Sequence, residues 1–404
     1  MRRVLLLLPS ATYRAADFIT AAKALGVDLV IGSDTAQPTD PEGERSLQLD
    51  LNRPEAAAER IVDFAQQRPL EAIVAVDDAG VLTATVAAER LELPHNPYFA
   101  AAATRDKVAM RQVLQRAGIA QPNFRVLRPG DDVAAVAAEV GWPVVLKPTC
   151  LSGSRGVIRA DDDEQAAATA TRIRGIVRDA EQDADAPLLV ESFVPGAEVA
   201  LEGMLRDGRL QVLAIFDKPD PLDGPYFEET IYVTPSRHPA ALLQQVEAVC
   251  AQAATALGLI EGPVHAEFRL GPNGPVVLEV AARSIGGLCA RSLRFGLGVT
   301  LEELILRHAL GIDTDDMKRE HAASGVMMLP IPAAGVLDHV AGLDEARSVQ
   351  GVTGIEITAT PGSELVPLPD ADRYLGFVFA RGMAPEEVEA TLRAAHACLD
   401  VRLR

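Results

Sequence analysis

Aromatic residues make up only 4% of the 404 positions, so any core must be built mainly from Ala, Val, Leu and Ile. Cysteine is nearly absent. Cys150, Cys250, Cys289 and Cys398 lie far apart with no C-x-x-C, which argues against a zinc site and a disulfide framework and reads as thiols in a reducing, cytoplasmic setting. No apolar run approaches the ~20 residues of a membrane span. "MRRVLLLLPSATYRAADF" places two arginines before an apolar stretch, but the stretch ends at Pro9 and no cleavage site follows cleanly, so a first β-strand is expected there. Positive charge is also short: 38 basic against 57 acidic residues give a net charge of -19, which disfavours nucleic acid and anionic membranes as partners. A local basic cleft can still take an anionic substrate. Lysine is much the scarcer of the two bases. Only five of the 38 basic residues are Lys (Lys23, Lys107, Lys147, Lys218 and Lys318), so a retained Lys is a candidate for a compact, point-like charge.

What is present is organised in alternating segments. "RRVLLLLP", "AADFITAAKALG" and "VDLVIGSD" read as strand, helix, strand, and "LEAIVAVDDAG" with "VLTATVAAERLEL" repeats the pattern. Such alternation predicts an open, parallel α/β domain over 1–95. No G-x-G-x-x-G follows its first strand, so a dinucleotide role is unsupported. A helix closed by Gly118 and a small α+β region follow over 96–187, with "GWPVVLKPTCLSGSRGVIRA" as strand, glycine-rich loop, strand. A larger sheet is expected over 188–320 and an α+β unit over 321–404. The fold class is therefore multidomain, α/β followed by α+β.

Three stretches carry chemistry. In "VVLKPTCLSGSRGV" a buried strand delivers Lys147, and Ser152, Gly153, Ser154 and Gly156 form a small-residue loop whose N–H groups can close over phosphates. The plain alternative is a hairpin loop with a snorkelling Lys, and no Walker A motif is present. In "LLVESFVPGAEVA" a strand reaches Glu191, bends at Pro195-Gly196 and continues to Glu198. A bent backbone can pair with an adenine edge and the later carboxylate with ribose; otherwise these are two solvated acids beside a turn. In "HAEFRLGPNGPVVLEVAARSIGG" two strands flank a Gly-Pro-Asn-Gly turn and carry Glu267 and Glu279 among apolar residues. A buried carboxylate needs a cation. Oxygen-only ligands suit Mg²⁺, Arg283 can stabilise developing negative charge, and Gly286 and Gly287 let backbone N–H groups approach an oxyanion. The alternative is a structural Glu–Arg pair.

Together and in this order, the three stretches resemble the ATP-grasp superfamily. "LEVAARSIGG" and the tail "GVTGIEITATPGSELVPLPDADRYLGFVFARG" are similar to its L-amino-acid ligase branch. The resemblance implies an N-terminal α/β domain, a lid, a large sheet domain and a C-terminal domain. It implies that Lys107 and Lys147 contact ATP, that Ser152 to Gly156 cover the phosphates, that Glu191, Phe193 and Val194 form the adenine hinge and that Glu198 binds ribose. Lys218 would be a further phosphate contact. Glu267 and Glu279 would hold Mg²⁺ (or Mn²⁺), one ion or two, and Arg283 would face an acyl phosphate and tetrahedral intermediate. The common pattern has Asn two residues after the second acid, where this chain has Ala281, which leaves the second ion open.

The implied reaction joins a small-molecule carboxylate to an amine through an acyl phosphate, with ADP and phosphate released. His265 shares the strand face of Glu267 and is either a pocket residue able to serve as a base or a structural histidine. The long, Pro-rich segment Asp217–Pro239 brings Tyr226, Glu228 and Glu229, which either read a substrate amino group or sit in an exposed loop. Two other readings remain: a carboxylase-type enzyme acting on bicarbonate, although no Met-Lys-Met biotin site is present, and a nucleotide-binding protein without catalysis. Homodimers are common among the relatives so implied.

Overall fold

The computed structural model describes residues 2–10, 12–35, 45–371 and 373–404. The alternating N-terminal segments form a parallel four-stranded sheet in the order Ser46–Gln48, Asp28–Ser33, Arg3–Leu7, Ala72–Ala75. The helix Ala15–Leu25 follows its central strand and ends at Gly26, whose φ of 64° suits a residue without Cβ.

The lid is a four-stranded antiparallel sheet in the order Phe124–Leu127, Leu188–Ser192, Val144–Pro148, Ile158–Ala160, backed by the helices Val133–Val140 and Asp163–Asp179. Two local expectations change here. The apolar run at 188–192 pairs with the lid strands, so the chain crosses to the large sheet only at Phe193–Gly196, later than the boundary at 187 expected from sequence. An apolar strand reads alike whichever sheet receives it. The segment before Gly118 is two helices, Tyr98–Arg105 and Lys107–Arg116. Asp106 breaks it by taking an extended conformation and accepting from the N–H groups of Val108 and Ala109 as an N-cap.

The large antiparallel sheet has eight strands. Gly274–Ala281, Gly262–Gly271, Ala197–Arg206, Arg209–Lys218 and Ile231–Thr234 are followed by Ala323–Leu329, Gly376–Gly382 and Val352–Ile357. The last three come from the C-terminal segment, which thus extends the large sheet and adds a three-stranded sheet and helices of its own. One face of the large sheet shares a core with the N-terminal domain, including Leu6, Phe18, Phe216 and Phe377. The other face is covered by the helix Ala240–Leu257 through Val246, Cys250 and Ala253. The site therefore opens where the parallel sheet, the lid and the large sheet meet.

Candidate active site

The meeting point is a cleft with a cavity of about 480 Å³. The Gly-Pro-Asn-Gly turn joins the strands Gly262–Gly271 and Gly274–Ala281, and Glu267 stands directly opposite Glu279 across the pair. Each acid has found a cation. Lys107 Nζ lies 3.2 Å from Glu279 Oε1 and also donates to the Leu151 carbonyl at 2.8 Å. Lys218 Nζ lies 3.1 Å from Glu267 Oε1 and 2.6 Å from Glu198 Oε1, and it also donates to Glu229. Glu198, Glu229 and Glu267 each offer one oxygen, and these oxygens lie within 4.8 Å of one another. A compact, oxygen-only donor set of this kind fits a hard divalent cation. Burial works against the Lys218 ammonium, but the three carboxylates outweigh it and hold its pKa well above normal. Burial and the neighbouring Glu267 lift Glu229 to about 7 despite Lys218.

At the lid end, Glu191 is buried between Arg111 Nε and Lys147 Nζ, both at 2.5 Å. Burial would raise its pKa, and the two cations hold it below the usual range instead. Ser152, Gly153 and Ser154 line the cleft. Gly156 does not; its N–H donates to the Pro369 carbonyl and ties the loop to the C-terminal segment. Phe193 and Val194 line the cleft. The Phe193 N–H is already donated to Pro143, so that part of the expected hinge is spent inside the protein. The Phe193 ring stacks on Phe227 at 6.4 Å with the Arg159 guanidinium 4.5 Å above it. Glu198, expected at ribose, is held by Lys218 and by Arg269 Nε at 2.9 Å.

At the other end, Arg283 donates to Asp78 Oδ2 at 3.0 Å, and Arg105 lies 3.3 Å from Asp78 Oδ1. Burial alone would raise Asp78, but Arg283 and Arg105 bring its pKa to about 2. Gly286 and Gly287 line this end of the cleft. His265 is not poised as a base. Its Nδ1 bonds to Glu202, and its Nε2 lies 3.4 Å from Glu267 Oε1. Burial opposes its charge, yet Glu202 and Glu267 lift its pKa to about 9, which favours the protonated ring. Ala281 sits opposite His265 in the strand register.

The loop residues divide. Glu229 lines the cleft, whereas Tyr226 and Glu228 do not. The Tyr226 hydroxyl accepts from Arg172 Nη1 at 2.6 Å, and its ring packs under that guanidinium, so the side chain faces the lid helix. Sequence reasoning missed Asp78, Arg105, Arg111, Glu202, Arg269 and Tyr232. Asp77-Asp78 was findable, because it lies just beyond the C-terminal end of the parallel strand Ala72–Ala75, where ligands gather in such sheets. The others are Tyr232, whose hydroxyl donates to Glu229 Oε2 at 2.8 Å, and charges, all on elements whose sequence gives no sign that they turn inward.

The comparisons agree with this layout. Residues 19–95 match the model of an ATP-grasp N-terminal domain, 140–292 an ATP-grasp domain and 327–404 the L-amino acid ligase C-terminal domain 2. An uncharacterized protein of Sinorhizobium fredii is 29% identical over 295 residues, covering 73% of this chain and 60% of that protein. An alanine–anticapsin ligase of Bacillus subtilis is 29% identical over 275 residues, covering 64% and 58%. The chain thus spans about three fifths of the length of these curated relatives. The L-amino acid ligase of Bacillus licheniformis superposes over 100% of this chain and 99% of its own, with a TM-score of 0.83 at 24% identity. The biotin carboxylase domain of Hydrogenobacter thermophilus 2-oxoglutarate carboxylase, solved with MgADP and bicarbonate, gives 0.69 at 18% identity over 100% and 91%. Fold and site define an ATP-grasp protein. The chain belongs to the ATP-grasp superfamily, and its C-terminal segment is of the L-amino-acid ligase type.

Proposed function

We propose that this protein is an ATP-dependent carboxylate–amine ligase that forms a peptide or amide bond, with an amino acid as one substrate and an acyl phosphate as the intermediate. The observation that carries the reading is the cleft itself. Lys107 and Lys147 line it and pair with Glu279 and Glu191, and the ligase-type C-terminal segment contributes Met328, Leu368, Arg373 and Tyr374 to the same cavity. Glu267 and Glu279, opposite each other across the strand pair, would hold Mg²⁺, and of the two only Glu267 gathers with Glu198 and Glu229; when bound, the ion neutralises charge on the phosphates. Lys107 and Lys147 orient the nucleotide, and the loop Ser152 to Ser154 covers it. Lys218, expected from sequence as a phosphate contact, does not line the cleft and instead holds Glu198, Glu229 and Glu267 together beside it. Arg283 and the Gly286-Gly287 backbone receive negative charge on the acyl group as an amine attacks. Glu229 is placed to receive a substrate amino group. The lid excludes water that would hydrolyse the acyl phosphate.

The four cysteines are free thiols, which supports a cytoplasmic setting. Among the described residues no helix is long and apolar enough to cross a membrane.

The test is phosphate release from ATP and Mg²⁺ with pools of amino acids, with and without bicarbonate, and with products identified by mass. Release that requires one or two amino acids, with a product one water lighter than their sum, is the expected outcome. Release that depends on bicarbonate alone would replace this reading with the carboxylase one, and ATP binding without turnover under any condition would favour a binding protein.

A further inference from the structure

Arg14 is one of the most completely buried side chains in the protein, at 1% exposure, and no step above uses it. It sits just before the helix Ala15–Leu25, next to Tyr13, which lines the cleft, but far in sequence from Asp78 and Arg283. Its guanidinium forks. Nη1 donates to the Val76 carbonyl at 2.7 Å, and Nη2 donates to the Ser284 hydroxyl at 2.8 Å. Asp77 Oδ1 lies 3.9 Å from Nη1, and the Phe18 ring packs 5.6 Å from the guanidinium carbon. Nε has no partner.

The contacts fall on either side of one ion pair. Val76 and Asp77 immediately precede Asp78. Ser284 immediately follows Arg283, and Arg283 Nη1 itself donates to the Ser284 carbonyl at 3.0 Å. Arg14 thus grips, from behind, the two loops whose side chains meet in the cleft as Asp78–Arg283. Adhesion alone does not call for this arrangement. A buried cation with one orphaned donor, whose charge is met by Asp77 at 3.9 Å and by the field of buried Glu302, is costly, and an apolar side chain would hold two loops together without an orphaned donor. What an apolar side chain cannot do is fix two acceptors at set positions, which a planar guanidinium does and an ammonium does poorly.

We propose that Arg14 is a positioning residue for the transfer site: by bridging Val76 and Ser284 it sets Arg283 against Asp78, and so fixes where the Arg283 charge stands relative to the reacting acyl group. The functional half of this statement rests on the ligase reading of Arg283.

The experiment uses the full chain with Arg14→Met, Arg14→Lys and Ser284→Ala. Arg2→Ala serves as a control, because Arg2 also joins the N-terminal sheet to the rest, through the Leu310 carbonyl, and makes no contact with a cleft residue. Arg14→Met should lower kcat for product by about 10²-fold, the scale of a displacement near 1 Å, with the KM for ATP within about threefold of wild type. Ser284→Ala, which removes a single hydrogen bond, should lower kcat by about fivefold. Both should release more phosphate per product formed, whereas Arg2→Ala should keep that ratio. Arg14→Lys should not restore it. A lowered Tm with unchanged kcat per folded molecule and unchanged coupling in Ser284→Ala and Arg14→Lys would reduce Arg14 to a structural residue, even if Arg14→Met fails to fold. Crystal structures of the same variants judge the geometric half independently of any activity: an Asp78–Arg283 pair still at 3.0 Å overturns the proposal. Wild-type protein without amino-acid-dependent phosphate release would instead sink the ligase reading and leave the geometric test standing.

Discussion

At the scale of single residues, the cleft is a set of charges that satisfy one another before any ligand arrives. Asp78 shows how strongly. Its carboxyl is held near 2 by Arg283 and Arg105, below its ordinary value of 3.8. A depressed folded-state value stabilises the native protein above the unfolded value and loses that contribution as the pH falls toward the folded one, here from about 4 down to about 2. The shift corresponds to about 2 kcal/mol. Asp78→Asn should therefore cost roughly that amount near pH 6, and urea unfolding at a series of pH values should show the gap from wild type narrowing below about pH 4. A gap independent of pH would mean that the charge of Asp78 is not what stabilises. Glu279 tests the other pole. Glu279→Gln keeps the shape but removes a carboxylate from the site expected to hold Mg²⁺ and frees Lys107 from its ion pair. Phosphate release should drop by about 10³-fold and Mn²⁺ binding, read by electron paramagnetic resonance, should weaken. Retained Mn²⁺ affinity would remove Glu279 from the metal site.

At the scale of elements, function gathers where the chain passes from one sheet to another. Phe193–Gly196 connects the lid strand Leu188–Ser192 to the strand Ala197–Arg206, and Gly196 has a φ of 121°. A Cβ there would stand 2.3 Å from the Leu270 carbonyl oxygen, and Arg269 Nη1 already donates to the Gly196 carbonyl at 2.7 Å. Neither neighbour can give way without shifting the strand that carries Glu267. Gly196→Ala should cost about 1–3 kcal/mol and raise the KM for ATP by about tenfold through the displaced hinge. Thermal unfolding and ATP titration measure the two separately, and a loss of stability with unchanged KM would uncouple the hinge from the nucleotide. The same scale explains what could be read from sequence. Lys147 with its glycine loop, Glu191 with Glu198, and Glu267 with Glu279 are each local, within about a dozen residues, so strand alternation and turn chemistry expose them. Arg111 and Glu202, and Arg14 outside the cleft, come from separate segments. Buried charges on otherwise ordinary elements leave no periodic mark. Tyr226 lay in a legible loop, yet its direction was set by Arg172, more than fifty positions away.

At the scale of the whole molecule, the proposed ligase reading requires the lid to close over a nucleotide and a second substrate together. The lid's outer edge is stitched to two other segments. Arg159 donates from its backbone to Pro225 at 2.8 Å and from Nη1 to Asp223 at 2.8 Å. Gly156 donates to Pro369 at 3.0 Å. Arg172, on the lid helix, joins both: Nη1 donates to Tyr226 and Nη2 to Asp370 Oδ2 at 2.5 Å. The segment holding Pro369 and Asp370 also lends Leu368, Arg373 and Tyr374 to the cleft. Under the ligase reading, closing the lid would therefore cover both halves at once. The Arg172–Asp370 pair is about 40% exposed on both sides, and an ion pair so placed is worth ~1 kcal/mol at most. That is too little to hold the lid shut against substrate entry but enough to shift the closed fraction by about fivefold. Arg172→Ala should leave phosphate release largely intact while raising the phosphate released per product formed by a few-fold, because water reaches the acyl phosphate more often. A charge swap, Arg172→Asp with Asp370→Arg, should recover part of the coupling. If the single substitution lowered phosphate release and product equally, or the swap recovered nothing, Arg172 would be supporting the lid's structure and the closure of the two halves would be separate events.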